Sequence, residues 1–197
     1  MSRLRIFTVM KIPFYIGLLF SSTLLSAQND AGYADLLKRT REIVIRDSLM
    51  VDVNTVEHIV LDTIILKDYF QMFYPPLVTR KKSAMEYFIS GKMTTNPNYN
   101  VLLVSTKKEE QGTDGNDEYS ESVYLLTTKK DGSNISAIAI AIKREKGTIV
   151  NTSSWLHKDN RVFVTTRIDA NGKTFGGLTE YRINEDGRFI NYPHWTK

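Results

Sequence analysis

From Tyr99 to Tyr192 the side chains change character at every second residue, and tight-turn dipeptides punctuate the run at Asp131-Gly132, Lys146-Gly147, Asn171-Gly172 and Asp186-Gly187. A period of two marks strands whose faces alternate, and glycine after Asn or Asp supplies the positive φ angles that two-residue hairpins need. Strands are expected at Tyr99 to Thr106, Glu121 to Thr128, Asn134 to Lys143, Thr148 to Leu156, Arg161 to Ile168, Thr174 to Ile183 and Arg188 to Tyr192. Short connections force consecutive strands to pair antiparallel, so this half predicts a meander.

Two of these strands say where the core lies. In Asn134 to Lys143, the large Ile138, Ile140 and Ile142 alternate with Ala137, Ala139 and Ala141, so neither face is polar and the strand should be central. Its alanine side would let a helix approach closely, or sit on the concave side of a curved sheet. Val162, Val164 and Ile168 instead alternate with Arg161, Thr165 and Arg167, the pattern of a half-exposed strand.

The first half has helical spacing. Tyr33, Leu36, Leu37, Thr40, Ile43 and Val44 recur at three and four, with Asp35, Lys38, Arg39 and Arg41 between them. Asn54 and Glu57 are spaced as a capping box ahead of Val56, Ile59, Val60, Thr63 and Ile64, which we read as helix although β-branched residues dominate it. Pro75 and Pro76 end the element carrying Tyr69, Phe70, Phe73 and Tyr74. Ala84, Met85, Phe88 and Ile89 suggest a third helix, with Gly91 as its C-terminal cap. The expected class is α+β: N-terminal helices packed against a largely antiparallel meander sheet of about six to seven strands, with 28–98 mainly helical and 99–192 in strands.

Arg3, Arg5 and Lys11 precede an apolar run from Ile12 to Leu25, and Ser26 and Ala27 then lead into polar Gln28. Basic, apolar and small-residue regions in that order form a secretory signal peptide over 1–27, leaving 28–197 as one globular domain exported to the periplasm or beyond the cell. A membrane anchor fits less well, because the uncharged stretch from Ile12 to Ala27 falls short of the roughly 18 to 20 residues a spanning helix needs. Met10-Lys11 would itself begin a serviceable signal. About seven strands, no paired aromatic girdles and the helical first half argue against an outer-membrane barrel.

Losing those three basic residues lowers the formal net charge from +4 to +1, so the mature chain lacks the dense basic face that nucleic acid requires. There is no cysteine, which excludes thiol nucleophiles, Cys-ligated zinc, disulfides and lipid attachment at an N-terminal Cys. The roughly 170 remaining residues can bury a sufficient core without disulfides. No membrane insertion is expected once the signal is removed. A composition 42% hydrophobic and 24% charged places the chain among ordinary globular domains.

No motif for chemistry stands up. Asp114, Asn116 and Glu118 alternate as in a calcium loop, yet Tyr119 stands where the turn needs Gly and Leu125 where a bidentate Glu should close the site. His58, His157 and His194 share no metal-ligand spacing. Ser153, Ser154, His157 and Asp159 supply the residue types of a hydrolytic triad, but triad members come from separate elements and no nucleophile elbow is present. Glu121 and Glu180 are strand carboxylates with nothing to show that they converge, and Gly176-Gly177 reads as a bulge or bend in the sixth strand, not a phosphate loop. Asn134-Ile135-Ser136 and Asn151-Thr152-Ser153 match the glycosylation pattern at about the frequency expected by chance.

Aromatic residues remain. Trp155, His157, Tyr192 and Trp195 are the candidate binding residues, suited to a protein or glycan partner because rigid rings give large contact area at low entropic cost. The expected function is therefore that of an exported, soluble, non-catalytic binding domain without metal or cofactor. The alternative is a hydrolase whose site assembles only in three dimensions, marked by a deep polar cleft holding His157 or Glu180 beside a second titratable group. Intact-mass measurement of the protein from its own cells should give a chain beginning at Gln28; a chain retaining residues 12–27 would contradict cleavage.

Overall fold

The computed structural model describes residues 32–56, 59–60, 84–93, 96–110, 118–144 and 149–192. They contain one short helix, α1 at 32–39. The strands are β1 (Ser48–Val51), β2 (Ile59–Val60), β3 (Ala84–Met93), β4 (Asn100–Glu110), β5 (Glu118–Thr128), β6 (Asn134–Arg144), β7 (Ile149–His157), β8 (Arg161–Ala170), β9 (Lys173–Ile183) and β10 (Phe189–Tyr192). The protein is thus mostly antiparallel sheet, and the expected α+β class with packed N-terminal helices is wrong.

Strands β2 through β10 pair in sequence order. One junction in that ladder is weak. β6 and β7 share only the pairs Ile142–Thr152, Lys143–Asn151 and Arg144–Val150. Beyond them β7 takes β1 as its neighbour, from Val51–Ser154 to Ser48–His157. The sheet therefore divides into two leaves, β2-β3-β4-β5-β6 and β1-β7-β8-β9-β10. Their shared core draws Met93, Val101, Leu103, Val123, Leu125, Ile140 and Ala141 from the first and Val51, Leu156, Val162 and Val164 from the second. Polar ties join the leaves: the buried Ser154 hydroxyl donates to the Ile140 carbonyl, and Thr127 Oγ1 donates to Gly187 O at 2.5 Å.

Each misread segment has an identifiable cause. α1 buries Tyr33 and Leu36 as its spacing requires, while Asp35 and Arg39 pair at 2.9 Å on the exposed side. It stops at Thr40, whose hydroxyl turns back to Leu36 O at 2.7 Å, and Lys92 Nζ reaches Leu37 O at 2.6 Å. The chain then extends, because Arg41 O and Ile43 N bond the two sides of Lys92 at 2.9 and 2.8 Å. Ile43 and Ile45 enter the core and Val44 is 77% exposed, a strand-like alternation that helical spacing had absorbed.

The supposed capping box is a turn: Asp52 Oδ1 accepts from Asn54 N at 2.6 Å, and Thr55 N donates to Asp52 O at 3.2 Å. β2 follows it and pairs with Ile89 and Phe88 of β3. Here the β-branched composition was the better guide. The third predicted helix is β3 itself. The signal segment, Tyr69 to Pro76, His58, His194 and Trp195 lie outside the described residues.

Bulges account for the faces. In β3 the register steps from Ile89–Val104 to Gly91–Leu103, so Ile89 points toward α1 while Met93 points into the shared core. In β6 it steps from Ala139–Tyr124 to Ala141–Val123, which buries Ile140 and Ala141 together. Ala137 stays on the other face, within the cluster that α1 forms with Leu102, Val104 and Leu126. The alanines therefore form no single helix-facing side: Ala137 lies in the α1 cluster and Ala141 in the shared core.

Gly91 leaves no room for a side chain. A Cβ there would stand 2.3 Å from Ile43 Cδ1 and 2.6 Å from its Cγ1, and Ile43 cannot retreat while its backbone is bonded to Lys92. Gly91→Ala should lower stability by about 1–3 kcal/mol, the usual range for overpacking. Urea titration checks it, and most of the loss should vanish when both proteins also carry Ile43→Ala.

Candidate functional site

The two leaves differ on their outer faces. The first is covered by α1; the second, among the described residues, carries a row of large side chains set by register. Met50 of β1 stands opposite Trp155 of β7, Trp155 opposite Phe163 of β8, Phe163 opposite Glu180 of β9 and Glu180 opposite Tyr192 of β10. Met50, Trp155 and Tyr192 are 43%, 46% and 43% exposed. Ile190 and Leu178 extend the exposed apolar surface.

Alternation produces this face. Ser154 and Leu156 turn into the core, so Ser153, Trp155 and His157 turn out; Val162 and Val164 turn in, so Arg161 and Phe163 turn out. His157 packs against Phe163 edge to face, with ring centroids 5.2 Å apart and planes at 75°. Arg161 Cζ lies 5.7 Å from the Phe163 centroid, and Arg182 Cζ lies 4.6 Å from that of Tyr192.

Arg161 and Arg182 are direct cross-strand partners, an arrangement that repels unless compensated. Each has its own carboxylate: Arg161 Nε meets Asp159 Oδ2 at 2.7 Å, and Arg182 Nε meets Glu180 Oε1 at 2.7 Å. Desolvation pushes the Asp159 carboxyl up, but the Arg161 hydrogen bond and charge outweigh it and hold the group below its ordinary pKa. Asp169 is also lowered, chiefly by the Thr174 hydroxyl, with desolvation opposing and Arg167 assisting. A depressed carboxyl favours the folded chain above its unfolded value, near pH 4, and that contribution is lost as pH falls through the lowered folded value. The Asp159–Arg161 and Asp169–Arg167 pairs thus stay charged through neutral and mildly acid pH.

Trp155, His157 and Tyr192 are brought together on this one face. Met50, Phe163, Arg161 and Arg182 complete it and were missed, although Phe163 was legible as outward from the alternation of Val162 and Val164. The triad residues are not brought together: Ser154 is buried and bonded to Ile140 O, Ser153 shares the outer face with His157 but stands four residues, roughly 13 Å, from it along β7, and Asp159 holds Arg161. Glu121 and Glu180 are nearly buried on different leaves. Among the described residues no three His, Asp or Glu side chains cluster as metal ligands, and no helix is long and apolar enough to cross a membrane.

A cavity of about 190 Å³ opens beside His157, between the leaves and under residues 42–45. Met93, Val101, Leu125, Leu156, Val162 and Ile183 make its interior apolar, with Glu42, Lys158 and Arg161 among its polar lining. It falls below the roughly 300 Å³ at which pockets for drug-sized ligands begin.

The Glu180–Arg182–Tyr192 unit should be a measurable support of the face. Arg182→Ala should lower the midpoint of urea denaturation, because nearly buried Glu180 loses a donor, with the loss limited by solvent screening of half-exposed Arg182. Arg182→Lys should recover part of this, keeping the charge but not the planar stack on Tyr192. The sequence matches no protein-family model, and neither the sequence nor the fold finds a significant match among curated proteins or solved structures.

Proposed function

We propose that this chain is an exported, soluble, non-catalytic binding domain, and that the outer face of its second leaf docks a protein partner. The observation carrying the reading is the row Met50–Trp155–Phe163, exposed at Met50 and Trp155 and half-buried at Phe163, with Tyr192 across Glu180 and two arginines lying over the rings. Aromatic residues, Met and Arg are the types enriched where proteins meet, and Trp, Tyr and Arg dominate the energetically decisive positions. The leaf is also a firm platform. Its side chains project from a continuous β7-β8-β9 ladder without register shifts, so little ordering entropy is lost on docking.

Site-directed photocrosslinking in the producing cells tests the reading. A photoreactive phenylalanine at Met50 or Trp155 should give one discrete protein adduct, absent when the same probe replaces Lys129 on an exposed turn. Trp155→Ala should weaken the purified pair by about 2 kcal/mol, roughly 30-fold. No protein adduct, combined with quenching of Trp155 fluorescence by oligosaccharides in Trp195→Phe protein, would overturn the protein partner in favour of a glycan.

A further inference from the structure

β9 runs for eleven residues, Lys173–Ile183, but β10 pairs only with its last four, Glu180 to Ile183. Among the described residues nothing pairs with Lys173 to Thr179 on the side away from β8. Among the described residues this stretch is an open edge, with a row of backbone donors and acceptors facing away from β8. The usual protections are sparse: no proline, no bulge in its register with β8, and a single charge, Lys173, beside the hairpin turn. Phe175 and Leu178 on it are 55% and 53% exposed.

An apolar row ends at this edge. Val150 of β7 is opposite Ile168 of β8, and Ile168 is opposite Phe175 of β9, where among the described residues the row stops. A strand added to the edge would continue that row only by bringing an apolar side chain opposite Phe175.

We propose that the strand is β9 of a second copy of this chain, paired antiparallel about a two-fold axis at Phe175. Two-fold pairing keeps side chains on matching faces only when a residue opposes itself, or residues an even number apart. Full overlap of the seven open residues would centre on Gly176 and drive the partner's Asn171-Gly172 turn into Tyr192, which ends β10 beside Glu180. Slipping by one residue at the axis opens two positions there. It places Phe175 against the partner's Phe175 and Lys173 against the partner's Gly177, so no like charges meet. The apolar row then runs unbroken across both subunits, from Val150 of one copy to Val150 of the other. Aromatic pairs directly across antiparallel strands stabilise them, and an edge this short buries less than a standard interface, which fits association at micromolar concentration.

The inference is independent of the proposed docking face. Light scattering after size exclusion, at tens of micromolar, should report a dimer of the mature wild-type protein. Phe175→Lys and Phe175→Glu should each be monomeric with unchanged circular dichroism, since the ring is exposed. Mixing the two should restore a species of twice the mass, because opposite charges then meet at the axis. Trp155→Glu should remain dimeric. A monomeric wild type, or dimers that persist in both Phe175 variants, would overturn the proposal, and so would failure of the mixed variants to pair.

Discussion

The fold depends on β7 changing partners partway along its length. Its first residues pair with β6 and its last with β1, and the gap this opens lets one sheet fold over into two leaves. Without the exchange, β6 and β7 would run side by side throughout and the sheet would stay open, with Val51, Leu156 and Val162 unable to meet Leu103, Val123 and Leu125. Ser154 stands at the point of exchange. Its hydroxyl bonds the Ile140 carbonyl, a group released from the ladder when the strands part.

Covering one leaf and leaving the other bare divides the labour between them. α1 closes the outer side of β3 to β6 with Tyr33, Leu36 and Leu37, and Asn100 Nδ2 donates to Tyr33 OH at 3.2 Å. The second leaf has no such cover among the described residues, and its rings are held by their own neighbours instead. Phe163 has His157 at its edge and Arg161 above it; Tyr192 has Arg182. Side chains fixed in this way present a surface whose shape exists before any partner arrives.

The strands of the second half were legible because their signal is local. Turn residues such as Asn171 and Gly172, with φ of 51° and 72°, announce themselves whatever the tertiary context. The first half was misread because its decisive contacts are distant. Arg41 to Ile43 leave the helix only because Lys92 is waiting, and β1 is a strand only because residues 154–157 present a vacant edge. The bulges were invisible for a related reason: Ile138, Ile140 and Ala141 all face the core, and a strict alternation of two cannot say where a strand steps. Trp155, His157 and Tyr192 were readable as candidates from residue type alone. Their common face needed the register, which also supplied Met50 and Arg182.

The pairing of β1 with β7 also orders events in time. Val51 meets Ser154 across about a hundred residues, whereas Ala170 meets Lys173 across a two-residue turn. That is roughly five doublings of loop length, or about 3 kcal/mol more closure entropy to be met before any contact returns it. The hairpins from β4 to β10 can therefore zip early, while the half of β7 that awaits β1 stays open and sticky. Strand β1 is made before its partner by more than half the length of the chain, so a nascent molecule must keep it uncommitted until residues 154–157 emerge. Should a neighbouring chain supply its own β1 first, the same four pairs would form between molecules, and the last step of folding would become the first step of an exchange.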